Sequence, residues 1–591
     1  MTAADGAIPN GSRAGGGAPR LRSAAWLAGD DETALAHRVA LRSVGLRVDA
    51  RGDRPVIGVA NSASDLNPCN LPLDELAAAV KRGVLEAGGL PVEFPTISLG
   101  EDLMKPSAML YRNLLAIEIE EMLRSYPLDG VVLLANCDKT VPGAVMGAVS
   151  AGVPTVVVTG GGRPVATFRG RRLGTGTDLW RLWDERRAGA LDDDAWTELE
   201  ACLANGLGAC NTMGTASTMA ILTETLGLTM PGAATIPAGD PRALEAAAAA
   251  GRRSVELVGG GIRPAGVLTA EAFANALVVL NAIGGSTNAV IHAAAIAGRA
   301  GVPFALEDVE RLGKGVPVLA DVEPSGAGLV QDFDAAGGVP ALLKALGDRV
   351  DRSCATVSGR TIGEIADAAP EPSGAIRSAG DPVADGPAFA VVRGSLAPDG
   401  AVLKRSAASP ELLRHRGPAV VFHGYDDMRR RVDDPALGVN AESVLVLAGC
   451  GPVGVPGMPE WGMIPIPARL LAAGVRDMVR VSDARMSGTS FGTVFVHAAP
   501  EAAVGGPLAL VRDGDVIAVD ADAGRLDLEV DPEELERRRR EWRPPESPHL
   551  RGWPALYREH VTQAPDGCDL DFLQAPTAAH RQFVEPVVGR S

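Results

Sequence analysis

No run of about 18 consecutive apolar residues occurs, so nothing reads as a membrane-spanning helix. Residues 1–20 are rich in Gly, Ala and Pro and lack an apolar centre, which excludes a secretory signal. They read as a disordered tail, assigned to residues 1–22. The seven cysteines include no CxxC pair, which argues against a structural zinc site. Their odd number, with no signal, argues against a disulfide framework and points to a reducing cytoplasm with free or metal-bound thiols. Thr159-Gly160-Gly161-Gly162 has no following Gly-Lys-Ser/Thr, so it reads as a turn and not a phosphate loop. With eight histidines and no Asp–His arrangement in evidence, a classical serine triad is not indicated. Positive charge is in deficit: 56 Lys and Arg against 73 Asp and Glu give a net charge of −17, so no nucleic-acid partner is expected.

What is present suits a large α/β enzyme. At 591 residues, two or more domains are expected. Short apolar runs at Arg54–Ala60, Glu93–Leu99, Val131–Leu134 and Val156–Val158 alternate with helix candidates at 70–87, 108–124 and 144–152. That order predicts a parallel sheet. A Leu173–Trp196 stretch with Trp180, Trp183 and Trp196 among charges reads as a surface subdomain of helices. The Ala-, Pro- and Gly-rich 366–387 stretch marks a linker. The expected domains are therefore 23–377, α/β, and 378–591, a β-rich α/β unit with runs at Ala388–Val392, Ala419–Phe422, Val444–Leu447, Met478–Val481 and Val516–Val519. Glu533–Arg540 reads as a solvated helix. Gly449-Cys450-Gly451-Pro452-Val453-Gly454 matches a dinucleotide fingerprint, but the Val455-Pro456-Gly457-Met458-Pro459 that follows cannot open the required helix. That loop is expected to deliver Glu460.

The chemistry centres on Asn136-Cys137-Asp138-Lys139-Thr140-Val141-Pro142-Gly143, at the carboxyl end of a predicted strand, where ligands collect in parallel sheets. A thiol, a carboxylate and an amine in a row suit metal chemistry; the alternative is a buried Cys and a charged turn. Cys69 in Asn67-Pro68-Cys69-Asn70 and Cys210 in Gly208-Ala209-Cys210-Asn211 also sit in turns. Three separated cysteines can hold an iron–sulfur cluster and leave one iron open as a Lewis acid, with zinc the competing metal. The helix starting at Thr215 would stabilise a Cys210 thiolate. Cys202, Cys354, Cys450 and Cys568 are read as structural, as is His497. Glu101, Asp138 and Glu460 are hard oxygen donors suited to magnesium, or else solvated acids. Backbone N–H groups in Ala282-Ile283-Gly284-Gly285-Ser286-Thr287-Asn288 could hold a carboxylate; the alternative is an ordinary helix cap.

The segments NPCN, CDKTVPG, GACNTMGTASTM, NAIGGSTNAVIH, PGMPEWG and SDARMSG run in order from Cys69 to Ser487, and the chain resembles the dihydroxy-acid and sugar-acid dehydratases. The resemblance implies an active site at the domain interface. Cys69, Cys137 and Cys210 would hold a 2Fe-2S cluster, in preference to 4Fe-4S. Glu101, Asp138, Glu460 and a carbamylated Lys139 would hold Mg2+. Ser487 would be the base, assisted by Thr489. The implied reaction removes water from a 2,3-dihydroxy acid to give a 2-keto-3-deoxy acid. The segment 101–113 and the stretch 173–196 are similar to the aldonate branch, implying a pentonate such as L-arabinonate or D-xylonate. Asn211, Asn136 and Ala135 depart from that branch beside the cluster. Family resemblance also implies a homodimer or homotetramer. The alternatives are a dihydroxy-acid dehydratase of branched-chain amino-acid synthesis, a non-catalytic iron–sulfur protein, and a metabolite-binding homologue without turnover.

Overall fold

The computed structural model describes residues 21–574 and 585–589; most of the expected N-terminal tail lies outside the described residues. Arg22, which falls inside that expected tail, donates to the carbonyls of Tyr126 and Leu128.

Four parallel strands form the first sheet: β1 (Val56–Asn61), β2 (Leu90–Pro95), β3 (Gly130–Leu134) and β4 (Thr155–Val158), in the order β2-β1-β3-β4. Every residue of β1, β3 and β4 is buried, as the continuous Val/Ile/Leu character of strands covered on both faces requires. Helices Leu73–Glu86 and Pro241–Gly260 pack on one another and on this sheet. Their backbones touch because both carry glycine at the crossing: a Cβ on Gly83 would lie 1.9 Å from Ala248 O, and one on Gly251 would lie 2.2 Å from Val80 O. The same device seats helix Thr140–Ala151 on helix Arg112–Ser125, where a Gly147 Cβ would lie 2.5 Å from Ala116 O.

Three helix expectations are revised. The helix after β3 starts at Thr140, not Ala144, because Pro142 sits in its first turn, where no intrahelical N–H is needed. Asn70 does not cap the helix after β1, which starts at Leu73; its side chain is spent on Cys137 N and Ser62. The 108–124 run divides into a 3-10 turn, Ala108–Tyr111, and an α-helix, Arg112–Ser125.

Residues 166–203 are more than a surface group of helices. A hairpin, β5 (Ala166–Phe168) and β6 (Arg171–Leu173), is followed by helices Thr177–Arg187 and Asp193–Leu203 around an apolar cluster that includes the half-buried Cys202. The 366–387 stretch is pinned to the first domain: Val318 N donates to Ala384 O, and Val383 N to Val318 O.

The second sheet has eight strands in the order β14-β13-β9-β10-β11-β12-β8-β7. They are β7 (Phe389–Val392), β8 (Gly400–Lys404), β9 (Arg414–His423), β10 (Val444–Ala448), β11 (Arg480–Ser482), β12 (Val494–Ala499), β13 (Val516–Asp520) and β14 (Arg525–Glu529). The inner four, β9 to β12, are parallel, and the flanking pairs are antiparallel. Alternate residues of β10 feed opposite faces: Val444 and Val446 enter one core cluster, Leu445 and Leu447 another. The helix expected over the charge run spans Pro532–Glu541, with Arg538 buried against Asp515. The chain then returns to the first domain, where the fully buried Arg112 donates to Gly567 O and Cys568 O. Among the described residues, no helix is long and apolar enough to cross a membrane.

Candidate active site

Two sheets present the carboxyl ends of parallel strands to one seam. From the first sheet, β1 leads to Cys69, β2 to Glu101, β3 to Cys137-Asp138-Lys139 and β4 to Gly160-Gly161-Gly162. From the second, β10 leads to Glu460 and β11 to Arg485 and Ser487.

Lys139 joins them. Its side chain is wholly buried, and Nζ lies 2.5 Å from Asp138 Oδ2, 2.7 Å from Glu460 Oε1 and 3.7 Å from Glu101 Oε2. Burial alone would drive the proton off, and Arg485 also disfavours it, but the carboxylates outweigh both and hold the ammonium above its ordinary range. Burial opposes the charge on Glu460 as well; Lys139 and Arg485 overcome it and hold its carboxyl at about 2. Glu101 is pushed upward, chiefly by burial, with the other two carboxylates adding to it. Glu101 accepts from Ser107 Oγ at 2.8 Å and from Ala108 N at 3.2 Å.

Arg485 stitches the seam, and sequence reasoning gave it no role. Its guanidinium donates to Glu460 Oε1 (2.8 Å), Ser107 Oγ (2.8 Å), Asn288 Oδ1 (3.1 Å) and Met458 O (2.7 Å). Asn288 was also missed as an individual; its amide donates to Glu460 Oε1 at 2.8 Å, Thr215 Oγ1 at 2.9 Å and Met486 O at 3.0 Å. Both lie inside motifs already singled out, but the partners that reveal their work are remote in sequence. In the glycine loop before Asn288 the N–H groups of Gly284, Gly285, Ser286 and Asn288 are taken by Asn281 O, Leu280 O, Thr218 Oγ1 and Ser286 Oγ, so these four are not free for a carboxylate.

The cysteine turns are drawn together by Asn136, whose amide donates to Cys69 O (2.7 Å) and Gly161 O (2.9 Å). Gly161 O also accepts from Ala209 N, one residue before Cys210. Cys69 and then burial push the Cys137 thiol up. Burial and then Cys69 push Cys210 upward too; the helix start at Thr215 does not reverse this. Cys137 Sγ lies 3.5 Å from Asp138 Oδ1, so thiols and carboxylates adjoin. Cys354, Cys450 and Cys568 are buried and Cys202 half-buried, all four away from these turns.

Among the described residues, no three His, Cys, Asp or Glu side chains close on one point at metal-binding distance. The donors rest on each other, and an ammonium stands among the three carboxylates. The donor set nonetheless fits a metal pair chemically. Crowded thiols held protonated release protons to a soft metal, and carboxylates gathered around a cationic Nζ are matched to a hard dication.

Ser487 Oγ and Thr489 Oγ1 are 2.9 Å apart. Trp180 Nε1 donates to Thr489 Oγ1 at 3.1 Å, so the 166–203 segment reaches this site. His497 is buried and pushed down to about 3 by burial, so it stays neutral. The glycine fingerprint at 449–454 is closed to a dinucleotide: Asp483 takes the N–H groups of Gly449 and Cys450, and Glu501 those of Val453 and Gly454.

Two α/β domains meet at a cluster of carboxylates, a lysine and thiols. The chain matches the description "Dihydroxy-acid/6-phosphogluconate dehydratase N-terminal" over residues 54–365 and "Dihydroxy-acid/6-phosphogluconate dehydratase C-terminal" over residues 374–568. It belongs to that family and is, on that footing, a hydro-lyase. It is 48% identical to a 6-deoxy-6-sulfo-D-gluconate dehydratase of Pseudomonas putida, over 94% of this chain and 97% of the relative. It is 46% identical to an L-arabinonate dehydratase of Rhizobium leguminosarum bv. trifolii, over 94% and 96%. A dihydroxy-acid dehydratase of Acetivibrio thermocellus is 38% identical, over 90% and 97%.

Proposed function

We propose that this chain dehydrates a sugar acid, a pentonate such as L-arabinonate, to the 2-keto-3-deoxy acid. The higher identity to the 6-deoxy-6-sulfo-D-gluconate and L-arabinonate dehydratases than to the dihydroxy-acid dehydratase supports that substrate class. The observation that carries the reading is the Lys139 ammonium among Asp138, Glu460 and Glu101, with Cys137 against Asp138. Cys69, Cys137 and Cys210 would hold a 2Fe-2S cluster. Glu101, Asp138, Glu460 and Lys139, once carbamylated to an oxygen donor, would hold Mg2+. When bound, these groups supply Lewis acidity at the carboxylate end and at the departing 3-hydroxyl of the substrate.

The chain's own residues do the rest. Ser487 Oγ takes the C2 proton; the C2–H pair becomes the C2–C3 double bond as the 3-hydroxyl departs, and water is the co-product. The enol tautomerises to the keto acid without net redox change. Thr489 donates toward Ser487 Oγ and so favours its charged form. Arg485 and Asn288 fix Glu460. All seven cysteines are free, and we place the enzyme in the cytoplasm, as a homodimer or homotetramer.

The test is anaerobic enzyme assayed for 2-keto acid with L-arabinonate, D-xylonate, 6-deoxy-6-sulfogluconate and 2,3-dihydroxyisovalerate. Turnover of the pentonates, lost in Ser487→Ala with the visible cluster absorbance retained, is the expected result. Turnover of the branched acid alone would overturn the substrate class, and a fully active Ser487→Ala would remove the base. Full activity after changing Glu101 or Glu460 would remove those carboxylates from the reaction, and a cluster-loaded chain that turns over none of the four acids would favour a non-catalytic iron–sulfur role.

A further inference from the structure

We infer that Trp180 is a positioning residue that sets the direction of the hydrogen bond between Thr489 and Ser487. This rests on the reading of Ser487 as the base. An indole N–H can only donate. Trp180 Nε1 donates to Thr489 Oγ1 at 3.1 Å, so that oxygen accepts on one side. Among the described residues, the one other partner of Thr489 Oγ1 is Ser487 Oγ, at 2.9 Å. With the indole N–H on one lone pair, the arrangement that uses the threonine proton points it at Ser487 Oγ, which has no proton of its own to give once it is ionised. The Thr489 N–H, 3.4 Å from the same oxygen, adds a second, longer donor. Two donors converge on the atom that becomes negative when it gives up its proton, and Trp180 polarises the nearer one.

The segment carrying Trp180 is built to grip Thr489. Thr177 Oγ1 donates to Thr489 O at 2.9 Å. Gly176 has φ +92°, and a Cβ there would stand 2.6 Å from Thr489 Oγ1; a Cβ on Gly214 would stand 2.9 Å from Thr489 Cγ2. Both glycines leave room for the threonine side chain where any larger residue would displace it. The indole is partly exposed, 37% overall, so its ring is not held there by burial alone. The 166–203 segment thereby becomes part of the base's electrostatic environment.

The experiment is the pH profile of kcat/KM for the anaerobic holoenzyme carrying Trp180→Phe, Thr489→Val or both. Trp180→Phe keeps a ring and removes the N–H. The expected result is kcat lowered about 10-fold, KM within about twofold of the parent, and the rising limb moved about one unit to higher pH, since one unit of pKa is a tenfold change in the ionised fraction. Thr489→Val leaves the indole in place and gives a second route to the same displacement, and the double variant is no worse than Thr489→Val, because both remove one relay. An unmoved limb in Trp180→Phe, or losses that multiply in the double variant, would overturn the relay. Should Trp180→Phe not fold, a Thr489→Val limb that stays in place overturns it as well. An active Ser487→Ala would instead overturn the base itself, so the two failures are distinguishable.

Discussion

Lys404 closes β8 and faces the first domain with Val402, yet its amine has no partner among the described residues. It is fully buried, and burial pushes its pKa from 10.5 to about 7. Below pH 7 the fold carries an unpaired ammonium. One unit of pKa corresponds to about 1.4 kcal/mol, so this costs about 4–5 kcal/mol at pH 6. Between pH 7 and 10.5 the unfolded chain binds a proton that the folded chain does not, so stability rises with pH across that window. Lys404→Met replaces the stem with an unbranched apolar chain at a packing cost under about 1.5 kcal/mol, leaving a gain of about 3 kcal/mol at pH 6. With about 2.1 cal/mol/K of unfolding entropy per residue, a 591-residue cooperative unit would melt about 2–3 °C higher. The assay is thermal denaturation of both proteins at pH 6, 8 and 10. The advantage should shrink as pH rises above 7 and be gone or slightly reversed at pH 10. A variant less stable at pH 6, or an advantage independent of pH, would refute the unpaired ammonium.

Asn136→Ala removes the amide that binds Cys69 O and Gly161 O, and the carbonyl that accepts from Gly160 N. A loss of about 2–4 kcal/mol is expected from the stranded buried groups, with lower iron and sulfide content per chain by chemical assay. Arg299→Met strands the carboxylate of Asp569, which pairs with Arg299 at 2.6 Å with both side chains wholly buried. That should cost about 3–5 kcal/mol, read by thermal denaturation, and should expose the segment after His560 to proteolysis. The Glu460 carboxyl, at about 2 in the fold against 4.5 ordinarily, contributes stability that is complete above pH 4.5 and lost as pH falls toward 2. Acid titration of Glu460→Gln should lack that part of the slope.

The strands nearest the chemistry were legible because they are continuous apolar runs ending in turns; β1, β3, β4 and β10 are buried along their whole length. The strands that escaped notice have local reasons. β8 begins at a glycine and ends in a lysine, β12 carries a histidine, and β14 alternates charges with leucines because it is an edge. The gathering of Glu101 and Cys137-Asp138-Lys139 at one sheet edge followed from strand order alone. Arg485 and Asn288 did not follow, since their roles are defined by contacts across the seam. Trp180 was hidden by its charged surroundings, which suggest a solvated surface and say nothing of where an indole N–H points.

The seam explains why so many side chains stand between two domains that each have their own core. Asp138, Lys139 and Glu101 are fixed by the first sheet; Glu460, Arg485 and Ser487 are fixed by the second. The ion pairs cross the seam: Lys139 of the first half pairs with Glu460 of the second, and Arg485 of the second lies 4.0 Å from Glu101 of the first. Arg485 reaches back to Ser107, which in turn holds Glu101, so one guanidinium sets the spacing of carboxylates that belong to different domains. The geometry at Ser487 is therefore a property of how the domains meet, and substitutions along the seam should alter turnover more than they alter the stability of either domain.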